Sequence, residues 1–188
     1  MAKLYDELDA KLIEFINKQK VFFVASAPLS GDGHVNISPK GYDSLVVVNS
    51  TSVAWLDMGG SGIETMAHVR ENARMTLMFC AFDGPASILR LYGKADVVQF
   101  DDPDFEHWLE KFPAFEKARN IFVLSIDRIA DSCGWGVPYM DFDRERDQLR
   151  RYHANPQRDL ANWHDRFRSN NATSIDGLPG INSKKPQK

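Results

Sequence analysis

The sequence predicts a mainly β protein: an antiparallel β-barrel with peripheral helices and a helical C-terminal extension. Three observations predict it. Seven short β-branched or aromatic runs lie between residues 21 and 126, turn residues punctuate almost every junction, and one helix, 61–72, interrupts the first six runs. A parallel sheet would need a crossover after each strand, so the pattern selects antiparallel pairing.

Residues 6–20 open the chain with Leu8, Leu12, Phe15 and Ile16 at helical spacing, acids early and Lys18 and Lys20 late, as a helix macrodipole prefers. Strands follow at 21–27 and 34–37 across the turn 28–33, then at 45–48 and 53–56 across Asn49-Ser50-Thr51. The longest runs, 75–82 and 88–98, meet across Asp83-Gly84-Pro85. Asp102 caps a helix over 104–112 with Pro103 at its first position, Pro113 stops it, and a last strand covers 121–126.

The stretch 57–62, Asp-Met-Gly-Gly-Ser-Gly, joins a strand to a helix start. Glycines allow positive φ, so successive N–H groups can converge on one anion at the positive end of a helix. A tight turn, with Ser61 capping the helix and Glu64 completing a capping box, explains the same residues.

The chain has 188 residues, of which 43% are hydrophobic, enough for one domain with its own core. A net charge of −3 carries no footprint for nucleic acid or an anionic membrane, and no apolar run reaches membrane-spanning length. Cys80 and Cys133 suggest no disulfide framework and suit a reducing cytoplasm. The five histidines show no metal-ligand spacing, and neither a serine elbow nor a cysteine nucleophile motif is present. Trp135, flanked by Gly134 and Gly136, either covers a flat ligand or plugs a barrel end. The barrel domain is expected over 1–140, a helical extension broken at Pro156 over 141–168, and a disordered tail over 169–188.

The order of Lys40-Gly41-Tyr42-Asp43, Trp55-Leu56-Asp57, Arg70-Glu71-Asn72, the strand 75–82 and Leu89-Arg90-Leu91-Tyr92-Gly93 resembles the pyridoxamine 5′-phosphate oxidase-like family. The resemblance covers about 12–138, and Ser132-Cys133-Gly134-Trp135-Gly136-Val137-Pro138 looks like a feature of an uncharacterised branch. It implies a split β-barrel that binds FMN between two subunits. Ile37, Ser38, Pro39 and Lys40 would then line the isoalloxazine edge, Trp55, Leu56 and Asp57 the ring and ribityl chain, and Ser61, Gly62 and Thr65 the phosphate. Trp135 would approach the flavin of the other subunit, and strand faces such as Met75, Leu77 and Phe79, or their alternates, would meet the partner.

This sequence departs from the oxidase proper. Val35 replaces an arginine, and Ile63-Glu64-Thr65 replaces a basic pair that holds the FMN phosphate. The basic and tyrosine pattern that grips the vitamin's phosphate is absent over 100–120. The resemblance therefore implies a homodimeric, FMN-dependent oxidoreductase of flavoreductase type, acting on a small molecule other than a B6 vitamer. A deazaflavin-dependent reductase and a non-catalytic flavin or haem carrier are the alternatives.

Overall fold

A computed structural model describes residues 3–115, 117–155 and 159–181. The described strands are β1 (Leu4–Tyr5), β2 (Phe22–Ser26), β3 (Asn36–Lys40), β4 (Leu45–Asn49), β5 (Ser52–Asp57), β6 (Arg74–Cys80), β7 (Ile88–Gln99) and β8 (Asn120–Ser132). The helices are α1 (Ala10–Lys18), α2 (Glu64–Asn72), α3 (Phe105–Leu109), α4 (Gln148–His153) and α5 (Leu160–Asn170). All strand pairs are antiparallel, in the order β3-β2-β6-β7-β8-β5-β4 with β1 beside β8. The sheet is a barrel that does not close, and β3 and β4 are its free edges.

Alternation along the strands builds the interior. Leu89, Leu91, Ala95 and Val97 of β7 face inward with Val24, Leu77, Phe79, Phe122 and Leu124. The long β7–β8 pair bends at a register shift between Tyr92 and Gly93. Only glycine fits there, because a Cβ on Gly93 would lie 2.0 Å from the Ser125 carbonyl oxygen. Ala54, Leu56 and Ile121 turn the other way, into a second cluster with Phe105, Phe112 and Ala118. Asp9 caps α1 by accepting the Leu12 N–H, and Leu12 and Ile16 bury the helix on the barrel.

Several expected elements move. The second strand begins two residues late and runs through Pro39, which an edge strand tolerates because its outer side needs no N–H. Strand β1 is two residues long, too short to show a period. Helix α3 spans only Phe105–Leu109 with Asp104 at its N-cap position, and Asp102 accepts the Gln99 N–H.

Met75, Leu77 and Phe79 are core residues, so the partner-facing expectation passes to their alternates. Thr76 and Met78 are half-buried on the outer face, in cross-strand rows with Ala25 and Ile37, and with Phe23 and Pro39.

The tail expected to be disordered is folded as far as the description reaches. Ile181 is buried, Gly180 and Ile181 donate to the carbonyls of Ala172 and Asn171, and the Arg70 guanidinium donates to the Gly180 carbonyl. A polar composition concealed this, because the segment is held by main-chain hydrogen bonds and one apolar anchor. Residues 182–188 lie outside the described residues. Among the described residues, no helix is long and apolar enough to cross a membrane.

Candidate functional site

Strand β5 ends at Asp57, and the glycine loop that follows is locked from a distance by Arg119. Arg119 Nε donates to Asp57 Oδ2 at 2.6 Å and Nη1 donates to the Gly62 carbonyl at 2.8 Å, so one guanidinium ties both ends of the loop. The Gly59 N–H adds a third bond to Asp57 at 3.1 Å. Burial pushes the Asp57 carboxyl up, but Arg119, Lys40 and the hydrogen bonds outweigh it and hold the group below the ordinary carboxylate value. Asp57 is thus a structural anion.

Gly59 and Gly62 have φ of +85° and +84°. At Gly59 a second constraint adds to the first, since a Cβ would lie 2.4 Å from the Phe167 ring of α5. The helical extension therefore packs directly on the glycine loop, through Trp163 and Phe167, while Arg150 of α4 lies over Tyr42 and Phe115. The apolar side of 144–168 was legible in the sequence, but its docking place was not.

Ser61 does not cap α2. The N-cap residue is Ile63, with no side-chain cap bond, and Glu64 accepts the Ile175 N–H of the tail instead of closing a capping box. Asp176 of the same tail accepts the N–H of His34 at 2.8 Å and pairs with His34 Nδ1 at 2.7 Å. The tail thus fastens the start of β3 to the start of α2.

Strand alternation splits the quartet expected to line one ligand edge. Ser38 and Lys40 face inward with Asn36, whereas Ile37 and Pro39 face outward and are exposed. Asn36 Nδ2 donates to Thr65 Oγ1 at 3.0 Å. Lys40 Nζ lies 4.7 Å from the centre of the Trp55 ring, a cation–π contact. Trp55 is no ligand platform: Phe122 stacks on it at 4.7 Å, Lys40 sits over it, and 2% of it is exposed. Leu56 does not line the site either, because it points into the second core cluster. Both were expected to touch a ring, and alternation along β5 buries one in each core cluster instead.

Ser61 and Gly62 border a cavity with Asn36 of β3. Ser38 and Lys40 continue the Asn36 face of that strand, Thr65 is hydrogen-bonded to Asn36, and Asp57 braces the loop. Trp135 is 87% exposed, which rules out a plug within its own barrel. It follows the far end of β8, while Asn120 at the near end pairs with Asp57, so about 40 Å of strand separates the indole from its own glycine loop. Asn36, Arg119, Trp163 and Arg166 also border the site, and nothing in their local sequence ties them to positions so distant in the chain.

The family model described as pyridoxamine 5′-phosphate oxidase matches residues 8–133. The chain belongs to the pyridoxamine 5′-phosphate oxidase family. The family protein ustO of Aspergillus flavus is 34% identical over 201 residues, covering 97% of this chain and 79% of that protein. Among solved structures, HupZ of Group A Streptococcus superposes with a TM-score of 0.51 at 18% identity, covering 65% of this chain and 91% of HupZ. A candidate pyridoxamine 5′-phosphate oxidase from Lactobacillus delbrueckii gives 0.50 at 18% identity, covering 66% and 94%. At these identities the structural matches establish the fold alone. The family profile ends at 133, so the extension that covers the glycine loop lies outside it.

Proposed function

We propose that this family member is a flavin-dependent oxidoreductase that takes FMN and acts on a small molecule other than a B6 vitamer. The observation that carries the reading is the polar inner face of β3, Asn36, Ser38 and Lys40, with Thr65 hydrogen-bonded to Asn36, beside an open strand edge and a glycine loop, in a chain of this family. The residues fit such a group. The free edge of β3 offers main-chain donors and acceptors to a heteroaromatic edge, Lys40 supplies a fixed positive charge, and the glycine loop offers N–H groups and the exposed Ser61 hydroxyl. When bound, a flavin supplies the redox chemistry, and the protein orients it and sets its electrostatic surroundings. Asp57 and Arg119 keep the loop in shape, while Trp55 holds Lys40 from behind.

Titrating the purified chain with FMN tests this. Lys40→Met should weaken FMN binding roughly tenfold, the scale of one charge-assisted contact, without changing the melting temperature by more than a degree or two. Unchanged FMN affinity in folded Lys40→Met would remove Lys40 from the site.

The same reading makes the protein a cytoplasmic homodimer, as its two free cysteines suit a reducing compartment. The half-exposed outer rows of β2, β3 and β6 form the shared face, and Trp135 enters the site of the second copy. Met78→Asp should give monomers in sedimentation and release flavin. Dimers that keep their flavin despite Met78→Asp would contradict the assignment of this face.

A further inference from the structure

The glycine loop has two sides of opposite electrostatic character. On the β3 side a cavity of about 260 Å³ is bordered by Glu64, His34 and Ile175. The Glu64 carboxylate and the Asp176 that grips His34 place negative charge there, where a bound anion would be repelled. On the α5 side a cavity of about 290 Å³ lies between Gly60, Ser61 and Gly62 and the residues Asn162, Trp163 and Arg166. Among the described residues, no carboxylate lines it.

Two side chains on this second side carry hydrogen-bond donors that no acceptor among the described residues meets. Arg166 is exposed and makes no ion pair or hydrogen bond among the described residues, in contrast to Arg168 one residue beyond the next, which pairs with Asp101 and Asp165. The Trp163 indole N–H is unsatisfied although the residue is only 4% exposed. Its Cζ2, on the ring edge that carries Nε1, would lie 3.2 Å from a Cβ on Gly59, so that edge faces the loop. A buried donor without an acceptor is costly, and a ligand oxygen would satisfy it.

We infer that the cavity between the glycine loop and α5 is a phosphate site, with Arg166 as its cation and the Trp163 N–H and the loop as its neutral donors. The chemistry is that of a phosphate monoester or free phosphate: oxygens radiating in three directions suit donors on opposing walls, and a guanidinium pairs two of them at once. The cavity has room for a phosphate, and its polar lining of Ser61, Asn162 and Arg166 suits the phosphate end of a larger ligand. With FMN as the source, this inference rests on the flavin reading above and deepens it. A helix outside the family profile then supplies the positive charge that Glu64 and Thr65 cannot.

The test uses the full chain, Arg166→Gln and Arg166→Lys, each titrated with FMN, with riboflavin, which lacks the phosphate, and with inorganic phosphate followed by melting temperature. Wild type should bind FMN at least tenfold tighter than riboflavin. Arg166→Gln should erase that ratio by weakening FMN alone, and Arg166→Lys should restore part of it. Arg166 is exposed, so the variants should melt with the wild type when no ligand is present. If both flavins bind and the ratio survives Arg166→Gln, the site assignment is wrong while the flavin reading stands. If neither flavin binds but phosphate raises the melting temperature of wild type and not of Arg166→Gln, the site stands with free phosphate as its source and the flavin reading falls. If neither flavin nor phosphate binds, the inference is overturned.

Discussion

Replacing Asp57 by alanine is expected to cost about 3–5 kcal/mol of stability, because it leaves the Arg119 guanidinium buried without its counter-ion. The Arg119 side chain is 7% exposed and that of Asp57 3%, so water cannot replace the lost contact. The damage should extend to the glycine loop, since Arg119 also holds the Gly62 carbonyl. The folded-state pKa of Asp57 lies below its unfolded value. Its contribution is therefore complete above the ordinary carboxylate pKa of about 4 and disappears as pH falls through the lower folded value. Urea melts of wild type and Asp57→Asn across this window should converge at low pH. A loss under about 0.5 kcal/mol for Asp57→Ala, the range of an exposed substitution, would mean that Arg119 does not lock the loop.

Trp163→Ala is expected to have the next largest effect, about 3–5 kcal/mol at the site of the change, as for other large aromatic side chains emptied from a packed position. Trp163 packs against Phe167 with ring centres 4.3 Å apart, touches His153 edge-on at 5.7 Å, and faces Gly59. Its partners belong to the extension and the glycine loop, not to the interior of the barrel, so the loss should be sub-global. Limited proteolysis should cut Trp163→Ala within 144–170 while the barrel fragment survives. Simultaneous loss of barrel and extension would show that the two unfold as one unit.

Most of the fold was legible in the sequence because the barrel strands are long enough to show a period of two and are separated by turn residues. Leu89, Leu91, Ala95 and Val97 alternate with Arg90, Lys94 and Asp96, and the pattern alone sends them inward. The free edge at β3 was not legible, but Pro39 is the residue that marks it. The site was legible only in part. The glycine loop and the strand 34–40 stand out locally, whereas the lock on that loop comes from Arg119, 62 residues away from Asp57, and its cover from α5. Trp55 shows the opposite failure, since an aromatic residue at a strand end reads equally well as a ligand platform and as core, and the stacking of Phe122 decides for the core. The tail was misjudged for a further reason. His34, Glu64 and Arg70 hold it from three separate places, and none of these contacts leaves a trace in its composition.

The central claim, that the inner face of β3 and the glycine loop hold a flavin, is tested most directly by the visible spectrum of the purified chain after incubation with FMN, a deazaflavin and haem in turn, each followed by desalting. FMN should remain bound in stoichiometric amount, with an oxidised-flavin spectrum that bleaches on reduction and returns in air. Retention of haem or of the deazaflavin with loss of FMN, or a colourless protein after all three, would contradict it.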